Sequence, residues 1–147
     1  MDKPHILVSA CLLGENCKYN GGSNRSEALL RKLAGHEIIP VCPEVAGGLP
    51  TPRIPAEIVR GTVRNREGQN VDAAFRAGAR AVLELAQREQ PDLLILKSRS
   101  PSCGVHEIYD GTFSGKLIPG RGVFAELACR AGFKVRDAEE FLREERL

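Results

Sequence analysis

Five cysteines are the residues of this 147-residue chain whose types and placement could do chemistry. Five thiols cannot all pair within one chain, and a reduced cysteine is a nucleophile or a soft metal ligand. Cys11 follows the apolar run Ile6-Leu7-Val8 within a few residues. Cys42 follows Ile38-Ile39-Pro40-Val41 immediately, and Cys103 lies seven residues past Leu96, the last residue of Leu93-Leu94-Ile95-Leu96. If those runs are parallel strands, the three thiols emerge at one edge of a sheet, where a metal centre could be built. Each alone reads as well as a small buried hydrophobe, and it is the shared placement that favours a site. Cys17, in the polar loop 14–25, is either a spare thiol or an additional ligand. Cys129 falls in a helical pattern and reads as packing. No Cys-x-x-Cys pair occurs, which argues against a thioredoxin-type redox site and against zinc sites built on close pairs.

The elements that must position these thiols follow from hydrophobic pattern. The three apolar runs are continuous rather than alternating, as expected for strands covered on both faces. Pro40 cannot donate to a ladder, so its strand is short, bulged or at an edge. Asn24 followed by Glu27 resembles a capping box opening a helix through Leu29, Leu30 and Leu33, closed by Gly35. Asn70 is placed to cap a longer helix in which Val71, Ala74, Phe75, Gly78, Val82, Leu85 and Ala86 recur at helical spacing, with Pro91 beyond its end. A third helix spans 123–131, stopped by Gly132 and followed by a short strand at 133–135. The terminal stretch from Arg136 reads as an exposed helix with Phe141 and Leu142 turned inwards. Segment 43–60, with four prolines and a Gly-Gly pair, reads as an ordered loop. Segment 105–120 reads as a small hairpin around Asp110-Gly111. The alternation of strand and helix predicts an α/β fold: a compact three-layer, Rossmann-like domain over residues 1–147, with a mostly parallel sheet and a small hairpin insertion.

Composition narrows the function classes. With 42% hydrophobic residues and 21 Lys+Arg against 19 Asp+Glu, the chain is expected to fold rather than remain disordered. A net charge of +2 is weak evidence for a nucleic-acid surface. No long apolar span or basic leader is seen, so a cytoplasmic location is expected, where thiols stay reduced.

The segments ILVSACLLGENCKYNGGSNR, VCPEVAGGLPTPR and LKSRSPSCG together resemble the family of short bacterial domains whose characterised members are thiouracil desulfidases. The resemblance covers essentially the whole chain, in three blocks in the right order. It implies an oxygen-sensitive 4Fe-4S cluster held by only three cysteines, here Cys11, Cys42 and Cys103, with the fourth iron open to substrate. It further implies a catalytic glutamate at Glu44 and a catalytic serine at Ser100, with Ser98 and Ser102 close by. The implied substrate is a small thiolated pyrimidine base or nucleoside; longer relatives carry additional domains associated with thiolated transfer RNA that are not seen here, so a nucleic-acid partner is not expected, and the apolar pattern gives no reason to expect a membrane partner.

The residues are compatible with that chemistry. Thiolates are the usual ligands of iron-sulfur clusters, and an open iron can take a soft thiocarbonyl sulfur. Glu44, two residues past Cys42, is placed for proton transfer, although a loop carboxylate satisfied by Arg53 is the plainer reading. Either Ser100 hydrogen-bonds or relays a proton to the ring, with Ser102 among the substrate-binding residues, or Ser98, Ser100 and Ser102 support turns around Pro101. Lys18, Asn24 and Arg25, among the loop glycines, are candidates for a substrate-binding lip at the start of the helix. Two alternatives keep the thiols: a zinc ion on three cysteines in a hydrolase or deaminase, and a cluster closed by Cys17 in a sensor or carrier. His106-Glu107 lacks the second histidine of the zinc-protease motif and falls in the hairpin, and His5 and His36 flank strands at the surface.

Overall fold

The computed structural model describes residues 5–144. The elements in chain order are β1 (His5–Ser9), a 3-10 turn (Ala10–Leu13), α1 (Glu27–Lys32), β2 (Glu37–Val41), α2 (Pro43–Ala46), β3 (Ala56–Val59), β4 (Thr62–Asn65), α3 (Asp72–Glu89), β5 (Leu93–Leu96), β6 (Glu107–Tyr109), β7 (Leu117–Pro119), α4 (Val123–Arg130), β8 (Val135–Asp137) and α5 (Ala138–Arg143). Four strands form a parallel sheet in the order β2-β1-β5-β8. Leu7, Leu94 and Leu96 face one core with Phe75, Ala79 and Val82 of α3 and Phe124 and Ala128 of α4. Ile6, Val8 and Ile95 face the other, with Leu29 of α1, Leu33 and Phe141 of α5. Burial on both faces is why the strand runs are continuously apolar, and it makes the expected three layers. Pro40 lies on β2, at the edge of the sheet, where its missing N–H is tolerated. No described helix is long and apolar enough to cross a membrane.

Several local expectations are corrected. The cap of α1 is Ser26, whose Oγ accepts from Leu29 N at 3.2 Å; Asn24 lies two residues earlier, and its N–H donates to the Cys11 carbonyl at 2.9 Å. Val71 occupies the cap position of α3, and Asn70 Oδ1 accepts the Asp72 N–H at 2.9 Å. Segment 43–60 is not all loop: α2 opens it, and β3 pairs antiparallel with β4 around Arg60-Gly61. Arg60 and Gly61 have φ of 52° and 83°, the left-handed pair that a tight hairpin turn demands, but with arginine where asparagine or aspartate would have signalled it. Strand β8 begins at Val135, so Arg136 belongs to it, and Asp137 caps α5 by accepting from Glu140 N at 3.0 Å. The hairpin β6–β7 is present, with a longer loop than a two-residue turn.

The placement of α2 sets the site geometry. This one-turn helix, which starts directly after Cys42 and carries Glu44, rests on α3 through a contact with no room for side chains. A Cβ on Gly78 would run into the Pro43 carbonyl oxygen, and one on Gly47 into that of Ala74. Gly78→Ala is therefore expected to push α2 off α3, destabilising the protein by about 1–3 kcal/mol despite alanine's better helix propensity. Urea unfolding with a parallel measurement of metal content checks this.

Candidate active site

The three strand-end thiols converge. Cys11, in the turn after β1, Cys42, just past β2, and Cys103, in the loop after β5, line a single cavity of about 480 Å³ at the carboxyl edge of the sheet. The cavity opens where the strand order turns back between β1 and β5, the place where such sheets bind ligands. Cys17 joins them in the lining, near Cys42 and Cys11. Cys129, on α4, does not line the cavity.

Burial governs the thiols. It pushes Cys103 up to about 12, against hydrogen bonds with Ser9 and Ser102 that pull down and neighbouring Glu44 and Cys11 that push up. Cys17 is likewise raised to about 12, by burial first and then by Cys42 and Cys11. Cys11 is raised by burial and by Cys42, while a hydrogen bond with Asn24 and the charge of Lys97 oppose this. Such thiols stay protonated on their own, and become thiolates when a metal replaces the proton.

Beside the thiols lies a hydrogen-bonded chain. Glu44 Oε1 accepts from Arg53 Nε at 3.0 Å, and Oε2 accepts from Ser102 Oγ at 3.0 Å. Ser100 Oγ lies 3.0 Å from Ser102 Oγ and accepts the N–H groups of Ser102 and Cys103 at 3.1 Å each. Ser100 thus supports the turn around Pro101 and also reaches Glu44, but only through Ser102. The N-terminus of α4 holds this loop from below, with Val123 and Phe124 N–H donating to the Pro101 and Ser102 carbonyls at 2.8 Å. Arg53 is nearly buried, with side-chain exposure of 8%, and gives three more donors to the carbonyls of Cys17 (2.8 Å) and Pro50 (3.2 Å) and to Thr51 Oγ1 (3.0 Å). It ties the Cys17 loop and the proline-rich segment to the carboxylate.

The proposed lip is only partly assembled. Lys18 and Asn24 line the cavity, Asn24 through its contact with the Cys11 thiol rather than as a cap. Arg25 lies outside, exposed and paired with Glu27 at 2.6 Å. His106 pairs with Glu140 at 2.8 Å, away from the cavity. Sequence reading missed Lys97, Tyr19, Arg66, Tyr109 and Phe113, all of which line the cavity. Lys97 had a usable signal: it is the residue immediately after a buried parallel strand.

A doubly wound parallel sheet whose carboxyl edge gathers thiols, a carboxylate and two hydroxyls defines a small α/β protein with a thiol-lined cavity. The chain belongs to the 2-thiouracil desulfurase family, whose model matches residues 6–140. It is similar to a solved [4Fe-4S]-dependent thiouracil desulfidase, TudS, at 40% identity and a TM-score of 0.86, covering 95% of this chain and 93% of that one. It is also 41% identical over 145 aligned positions to the uncharacterised protein YbbK of Bacillus subtilis strain 168, covering 92% of this chain and 96% of YbbK.

Proposed function

We propose that this chain is a desulfidase that converts the C=S of a thiolated pyrimidine base or nucleoside to C=O by substitution with water, with Cys11, Cys42 and Cys103 holding a [4Fe-4S] cluster. The reaction balances without oxidant or reductant: thiocarbonyl plus water gives carbonyl plus hydrogen sulfide. The observation that carries the reading is the convergence of three thiols from three strand ends in one cavity, with Glu44 beside them. The family and the TudS likeness support the same reaction class.

The donor set is of the kind a cluster takes: three cysteines, whose thiolates are the usual protein ligands of iron-sulfur clusters. Tetrahedral zinc, with Zn–S of about 2.3 Å, would draw its thiolates to within about 3.8 Å of one another. A cubane takes one thiolate per iron, so its ligands stand farther apart. The bound cluster would supply one iron lacking a protein ligand, a Lewis acid towards the thiocarbonyl sulfur.

The chain's own residues handle position and protons. Arg53 and Ser102 each hold one oxygen of Glu44, fixing the carboxylate at the cavity wall. From there Glu44 takes a proton from the attacking water and returns one to the departing sulfur. Ser100, its oxygen already accepting two N–H bonds, has its proton free to donate to the ring or to Ser102, which passes it to Glu44. A cavity of about 480 Å³ is in the range that encloses small ligands and leaves room for a base or nucleoside.

Anaerobic reconstitution followed by incubation with 2-thiouracil and 4-thiouracil tests the activity. Sulfide release matched by uracil is expected; a full cluster with no sulfide from any thiolated base would overturn the reading. The proximity of Cys17 to Cys42 gives the closed-cluster alternative its one supporting observation. Cys17→Ser is expected to keep iron content and visible spectrum unchanged, and loss of the cluster would instead make Cys17 a fourth ligand.

A further inference from the structure

Lys97 is the first residue beyond β5 and lies at the turning point of the strand order, next to Cys11 in the cavity wall. Its N–H donates to Ser9 Oγ at 2.9 Å, tying the ends of β5 and β1 together, and its ammonium donates to the Ser98 carbonyl at 3.1 Å. A lysine ammonium has three protons to donate, and this bond accounts for one of them. Ser98, also in the cavity lining, is 4% exposed, and its hydroxyl finds no hydrogen-bond partner among the described residues. Buried hydroxyls are ordinarily paired. A buried hydroxyl without a partner, beside an ammonium with donors to spare, marks a place where a ligand brings the acceptor.

The charges around them point the same way. Glu44 is matched by Arg53, and Arg99 by Glu139 at 2.5 and 2.8 Å. Lys97 forms no ion pair among the described residues. Of the charged groups acting on Cys11, Lys97 is the cation. Thiolates holding a cluster at this edge would carry negative charge, and the reaction would add more as water attacks the ring carbon and sulfur departs.

Resting on the desulfidase reading, we infer that Lys97 and Ser98 are further catalytic residues, a donor pair that receives the negative charge developing on the ring and on the leaving sulfur. Water's oxygen bonds to the ring carbon, the C–S bond breaks with its electron pair going to sulfur, and the protons pass through Glu44. No oxidant or reductant enters. The pair acts as an oxyanion hole does, with donors fixed before the charge appears.

The test uses reconstituted Lys97→Met, Lys97→Arg and Ser98→Ala, read by iron and sulfide content, kcat, KM and the cluster's reduction potential. Lys97→Met is expected to keep its cluster, lose about 10²-fold in kcat with KM changed less than about threefold, and move the potential to more negative values. Lys97→Arg is expected to restore the potential and to recover kcat to within about tenfold of the parent. Ser98→Ala is expected to lose about tenfold in kcat with the potential little changed. If Lys97→Met fails to hold iron, Lys97→Gln, which keeps a donor and removes the charge, is expected to show the same potential shift. Unchanged kcat and potential in the Lys97 variants, or a loss confined to KM, would overturn the inference while leaving an active parent enzyme intact. A parent with a full cluster and no sulfide release would overturn the desulfidase reading, and the potential shift would still report on Lys97.

Discussion

Replacing Cys103 by serine is expected to leave a folded protein that holds no cluster. Cys103 is 4% exposed and sits in a loop whose carbonyls are taken up by the N-terminus of α4, so the backbone there does not depend on the thiol. Serine is close to cysteine in volume and finds the same Ser9 and Ser102 neighbours, which limits the stability loss to about 1 kcal/mol. What serine lacks is a soft, readily ionised donor, and a three-ligand site has no spare thiolate at that corner. Iron and sulfide per chain should fall to background while far-ultraviolet circular dichroism stays unchanged. Cys11→Ser and Cys42→Ser should behave alike, whereas Cys129→Ser, on α4 outside the cavity, should keep a full cluster. A Cys103→Ser protein with normal iron content would remove this residue from the ligand set.

The second large effect is on turnover rather than assembly. Glu44→Gln is expected to retain the cluster and to lose about 10²- to 10⁴-fold in kcat, the usual contribution of a positioned acid-base group. The amide oxygen can still accept from Arg53, so the α2 region should keep its shape. The charge match to a guanidinium only 8% exposed is lost, which should lower stability by about 1–3 kcal/mol. Activity is therefore to be assayed well below the thermal transition, with iron content measured on the same sample. A variant with full cluster and near-normal kcat would show that Glu44 is what its contacts alone suggest, a structural partner of Arg53.

The layered core was legible because its cause is local. Ile6 to Val8 and Leu93 to Leu96 have no polar face, and only a strand covered on both sides requires that. Convergence of Cys11, Cys42 and Cys103 followed from the same inference, since parallel strands put their carboxyl ends together. What the chain did not disclose depends on contacts between distant segments. Ser26 rather than Asn24 caps α1 because Asn24 is occupied at Cys11. The β3–β4 hairpin was hidden by an Arg60-Gly61 turn and by the prolines before it. Arg25 has the charge for a substrate lip but pairs with Glu27 outside the cavity. Arg53 looked like a possible neutraliser of Glu44, yet its hold on the Cys17 carbonyl, 36 residues away, has no sequence signal.

The claim at the centre of this account is that three strand-end thiols hold a cluster rather than a zinc ion. Counting iron, acid-labile sulfide and zinc in protein purified without oxygen, before any reconstitution, tests it most directly. Iron and sulfide are expected in equal amounts, at the stoichiometry of one [4Fe-4S] cluster per fully loaded chain, with negligible zinc. Stoichiometric zinc without iron or sulfide would contradict it.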